Sequence, residues 1–296
     1  MSLTQIDERR GELRGSDAPR TSTPQNLMVF VLSMALFGLS NILLEVIPDV
    51  TVGPVDLSVS YFVFVPLTLA ALVSPFWVAL GAPLGEIVFT DLLMGDFSGL
   101  AEIEGFIQMF LAIYIAGSVI RNPLSRAQVT IGALLIVFID KLLSAIVDLA
   151  KVVIGVEEAE YVEGLPESIL LLEGIGFVVD MIMSGVLFGV IPALWLVPAL
   201  YRRIEPMLGL QHREPGRKAP GTAPKAVWFV VVAVLASIVS FFFAFFEAWD
   251  LSLGAVEGDF REQFGDGFLW VSVGALVVVF ALAAILFAVW RRKSRR

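Results

Sequence analysis

Residues 61–95 read YFVFVPLTLAALVSPFWVALGAPLGEIVFTDLLMG. Two apolar spans, each long enough to cross or nearly cross a bilayer, meet at a tight Ser74-Pro75 corner. Pro66, Gly81, Pro83 and Gly85 interrupt them, and Glu86 and Asp91 sit in the second. Within a bilayer such residues are tolerated where neighbouring helices re-satisfy the freed backbone groups. The stretch therefore predicts a packed helical bundle and not a plain anchor.

The whole chain supports that reading. Of its 296 residues 57% are hydrophobic, the mean hydropathy is +0.86, and several apolar runs approach the roughly 20 residues that a ~30 Å hydrocarbon core requires. The net charge of -9 comes from acids concentrated in loops and tails, so it carries no implication of nucleic acid as a partner. With no cysteine and one histidine, His212, the chain lacks the parts for disulfides, thiolate zinc sites, His-based metal clusters and Cys/His or Ser/His nucleophiles.

Read in order, residues 1–25 form a polar, disordered tail and residues 26–205 a six-helix membrane core with spans near 26–46, 59–74, 76–95, 106–120, 130–154 and 168–200. A linker at 206–225, a transmembrane hairpin at 226–290 and a basic tail at 291–296 follow. The fold class is all-α and polytopic, with about eight transmembrane helices. The sixth span exceeds 30 residues, so it tilts, kinks at Pro192 or extends beyond the bilayer. Of the 20 Lys and Arg residues, 17 fall in segments on one side, which by the positive-inside rule makes both termini cytoplasmic in a multi-pass cell-membrane protein. The opposite loops are acidic, with Glu157, Glu158, Glu160, Glu163 and Glu167 in one of them, as suits a funnel for cations or a surface adapted to high salt.

An ionisable group at the membrane centre costs about 2.5–3.5 kcal/mol on insertion scales, so it faces the bundle interior and has a partner. On the fifth span Lys141, Ser144, Asp148 and Lys151 share one helical face; on the sixth so do Glu173, Asp180 and Ser184. Counted from the loop joining these antiparallel spans, Lys141 lies level with Asp180, and Asp148 and Lys151 lie level with Glu173. The faces are either two buried ion-pair clusters that lock the helices or the floor and mouth of a polar cavity, to which Glu86 and Asp91 add. With Asp140 counted, four acids stand against two lysines, so a cavity suits a cationic or hydrogen-bond-donating small molecule. Asn41 and Glu45, near the end of the first span, are expected to snorkel to water, and the Gly81/Gly85 and Gly185/Gly189 pairs to permit close helix contact. No intramembrane protease motif and no phosphate-binding glycine-rich loop is present, so the chain is read as a non-enzyme that needs no cofactor.

The Pro66 helix, the turn around residues 72–77 and ALGAPLGEIVFTDLLMG at 79–95 resemble the substrate-binding S components of energy-coupling factor transporters. The resemblance covers residues 26–205. It implies a membrane subunit that captures a micronutrient and works with a transmembrane coupling protein and ATPase subunits. Many members dock through an Ala-xxx-Ala pattern on helix one, where this chain offers Ala35, Gly38 and Ser40. Two other functions fit the charges: a self-sufficient secondary carrier or channel using intramembrane carboxylates, and a non-transporting membrane scaffold.

Overall fold

The computed structural model describes residues 22–44, 50–52, 55–57, 59–99, 102–154, 169–210, 213–217, 219–220, 222, 226–248 and 256–257. Expectations for the tail before residue 22, Glu45, the acidic loop at 157–167, His212, the second arm of the hairpin at 268–290 and the basic tail lie outside them. The described chain is helical and membrane-embedded in character, and four of its helices are long and apolar enough to cross a bilayer: Thr23–Leu44, Glu102–Val119, Arg126–Ile154 and Glu173–Leu200.

Helix α1 spans Thr23–Leu44 and carries no charged residue. It starts three residues earlier than expected because the Gln25 side chain accepts the Ser22 N–H at 2.8 Å, half of a capping box. After a short antiparallel pair, β1 (Val50–Val52) and β2 (Val55–Leu57), the chain enters the bundle without helical structure until α2, Phe64–Leu72. The expected span from residue 59 is thus cut short. Pro66 falls in the first turn of α2, where its missing N–H has no helical partner to lose. Every residue from Pro66 to Leu72 is buried, so α2 is surrounded and forms the centre of the core.

Ser74 is extended, and Pro75 opens α3, Pro75–Glu86, as the sharp corner requires. Gly81 and Gly85 face α1: a Cβ on Gly81 would strike the Phe30 carbonyl, and one on Gly85 the Met34 carbonyl. From the other side a Cβ on Gly38 would lie 2.6 Å from the Gly85 carbonyl. The two backbones therefore touch, as the glycine spacing predicts. Beyond Pro83 the helix widens into a π turn, Ile87–Asp91, continues briefly as α4 (Leu92–Met94) and ends at Gly95, which holds φ 88°.

Strand β3 (Asp96–Phe97), which pairs with β4 (Val256–Glu257), leads to α5, Glu102–Val119, whose N-terminus is fixed by Glu102 accepting from the Ser98 N–H and hydroxyl at 3.0 and 2.6 Å. Helix α6, Arg126–Ile154, is followed by α7, Ile169–Asp180, which runs through a ten-residue π segment, Met181–Val190, into α8, Ile191–Leu200. The widening lies just before Pro192. A proline there would clash with the carbonyl four residues back in a regular helix, and the shift to longer hydrogen bonds relieves the clash.

The segment after α8 includes α9, Ile204–Met207, and folds under one end of the bundle. The buried Arg213 guanidinium donates to the carbonyls of Ala71, at the end of α2, and Ile120, just past α5. Ser74 Oγ donates to the Pro220 carbonyl at 3.0 Å, and Tyr201 Oη to the Arg213 carbonyl at 2.8 Å. The two Arg213 bonds satisfy carbonyls that helix ends leave open. Helix α10, Ala226–Ala248, then packs on α5 and α6, with Ser240 Oγ donating to the Glu104 carbonyl at 3.2 Å.

Candidate functional site

The non-helical entry to α2 meets α6 and the α7–π junction. Lys141 Nζ lies 3.4 Å from Asp180 Oδ2, the cross-helix pairing at the depth the spacing predicts. The same ammonium stands 5.7 Å from the centroid of the Tyr61 ring, within cation–π range. Ser60 contributes twice: its hydroxyl donates to Asp180 Oδ1 at 2.5 Å, and its N–H donates to Ser184 Oγ at 3.1 Å. Tyr61 Oη donates to Asp140 Oδ2 at 2.9 Å. Both Tyr61 and Asp140 are buried. Glu86, half-buried at the end of α3, acts electrostatically on Asp140 and Lys141.

Local structure explains why these groups converge. Non-helical backbone at membrane depth persists where it is buried in protein or lines a cavity, and here the freed Ser60 N–H finds a side-chain acceptor. Glu86 and Asp180 each sit at the last α-helical residue before a π segment. Such wide turns recur at functional sites because they re-aim the side chains around them. Gly189, inside the second π segment, lets Val63 approach: a Cβ there would meet Val63 Cβ at 3.3 Å.

The other expected residues lie further along the elements that carry Lys141, Asp180 and Glu86. Asp148 and Lys151 form a pair at 3.8 Å within α6, and Ser144 Oγ donates to Asp148 Oδ2 at 3.2 Å. Lys151 is buried. Glu173 lies seven residues before Asp180 on α7, roughly 10 Å along the axis at ~1.5 Å per residue, and Asp91 lies at the far end of the π turn that follows Glu86. Asn41 is corrected: it is 4% exposed instead of snorkelling, because α3 and its π turn cover that end of α1. Its Oδ1 has no hydrogen-bond partner among the described residues.

Ser60 and Tyr61 were not expected at the site, although Pro66 carries the signal. A proline in a first turn puts the helix start within a few residues before it, and the Ser60-Tyr61 pair then falls on free backbone. A cavity of about 870 Å³ lies elsewhere, between α5, α6 and α10, and is almost wholly apolar.

A family model described as a family of unknown function, DUF8171, matches residues 28–296. No curated protein and no solved structure matches the chain.

Proposed function

The chain belongs to the family of unknown function DUF8171, and we propose from its polar network that it is a multi-pass membrane protein that binds a small solute for uptake. The observation that carries this reading is the Lys141–Asp180 pair set against the broken backbone at Ser60 and Tyr61. Discontinuous helices with charges at the break are the recurrent way that transport proteins build solute sites within the bilayer. A scaffold needs an ion pair to fix packing, but it gains nothing from an unwound entry and a π segment at the same place. In this reading eight spans and two cytoplasmic termini complete the topology.

The resemblance to S components makes capture for an energised partner the first mode of action, with a coupling protein and two ATPase subunits as partners. One observation favours the second mode, a self-sufficient carrier. Ala35, Gly38 and Ser40, the small residues of α1 that would serve docking, are buried within this chain, where α1 packs on α3 and its π turn.

Native mass spectrometry of the protein purified from its own membrane tests the reading. The wild type is expected to retain a small molecule that Asp180→Asn loses. Equal retention by both, or by neither, would remove the network from solute binding. Recovery of ATPase subunits with the wild type separates the two modes.

A further inference from the structure

The network sets three carboxyl groups against one ammonium. Asp140, Asp180 and Glu86 all act on a single ammonium, that of Lys141. A second, independent feature is the buried, unpartnered Oδ1 of Asn41. It lies four residues after Phe37, on the same face of α1, and the Phe37 ring packs edge-on against Tyr61 at 6.2 Å. Thr90 Oγ1, on the π turn after Glu86, is likewise buried and has no hydrogen-bond partner among the described residues. A ligand bearing several N–H donors and a positive charge supplies what these groups lack.

We propose that the solute is a small protonated primary amine, seated against Asp180 and the Tyr61 ring where the Lys141 ammonium stands. This rests on the reading of the network as a solute site. A lysine side chain is itself an alkylammonium on a tether, so its contacts are a record of what the pocket accepts: a carboxylate at 3.4 Å and an aromatic face at 5.7 Å. The aromatic contact favours an organic cation over a bare metal ion, and among the described residues no three acidic or histidine side chains are grouped to hold a metal. The Lys141 side chain is 26% exposed, so it can swing aside. It acts as a resident competitor that keeps Asp180 paired until the amine arrives.

The experiment is thermal unfolding of the full-length protein in detergent with n-propylammonium chloride, against 1-propanol, sodium propionate and sodium chloride at equal concentration. Propylammonium is expected to raise the Tm of the wild type. It should bind Lys141→Ala about tenfold more tightly, since the tethered competitor taxes the wild-type affinity, and leave Asp180→Asn unmoved. Lys141→Met serves if the alanine variant does not fold. Equal responses to propylammonium and sodium chloride, no gain on removal of Lys141, or an intact response in Asp180→Asn each overturns the proposal. A response to propanol or propionate that Asp180→Asn abolishes overturns the amine but leaves the solute site standing.

Discussion

Lys141 on α6 and Asp180 at the end of α7 meet at 3.4 Å, at the residue where the helix widens. Removing one partner of a buried pair leaves a charge without compensation, which costs about 3–5 kcal/mol in full burial. With side chains 26% and 16% exposed, the expected loss is nearer 1–3 kcal/mol for Lys141→Met or Asp180→Asn. Chemical denaturation in mixed micelles should show the double variant losing less than the sum of the singles. Additive losses would mean that the two groups are not coupled.

Tyr61→Phe keeps the ring beside Phe37 and removes the hydroxyl from Asp140. The buried carboxylate then lacks that donor, at an expected cost of about 1–3 kcal/mol. If the proposed amine site is correct, propylammonium still binds Tyr61→Phe, because the aromatic face is unchanged. Tyr61→Leu should lose both.

Gly85→Ala places a methyl group on the Met34 carbonyl. Because the obstacle is backbone, α1 and α3 must separate, with an expected loss of about 1–3 kcal/mol. Gly105→Ala, on an exposed position of α5 with nothing within 4 Å of the new Cβ, should stay within about 1 kcal/mol of the wild type. Parallel unfolding curves for both variants check the contrast.

Much of this arrangement was legible in the chain. Lys141 and Asp180 are tied to a common loop, so counting residues fixed their depth, and Gly81 and Gly85 fixed the contact with α1. The start of α2 was harder to see because residues 61–74 are apolar throughout, and hydrophobicity alone does not mark where backbone stops being helical. The π segments were invisible for a related reason. They change hydrogen-bond register without changing composition, and only Pro83 and Pro192 hint at them. The role of Arg213 was hidden too, since a lone arginine in a linker rich in Arg, Pro and Gly gives no sign that it turns back into the bundle.

Burial lowers the Arg213 pKa from its ordinary value to about 10. Above that value the unfolded chain still holds the proton that the folded one releases, so this group makes stability rise with pH above about 10 and not below. From pH 6 to 8 it stays charged in both states. Arg213→Ala should therefore cost about 2–4 kcal/mol through the lost bonds to Ala71 and Ile120, by the same amount at pH 6 and pH 8. A penalty that changes across that range would point to a different titrating group.

The clamp made by Arg213 also has a mechanical meaning. It ties the segment leading to α10 to the feet of α2 and α5, while the non-helical backbone that enters the opposite end of α2 passes through Tyr61, beside Lys141. Helix α2 is thus a nine-residue rod with the charged network at its head and the connecting segment at its foot. Any shift of that rod along its axis when Lys141 lets go of Asp180 would be felt at the far end of the bundle, where the chain's own α10 is placed to read it.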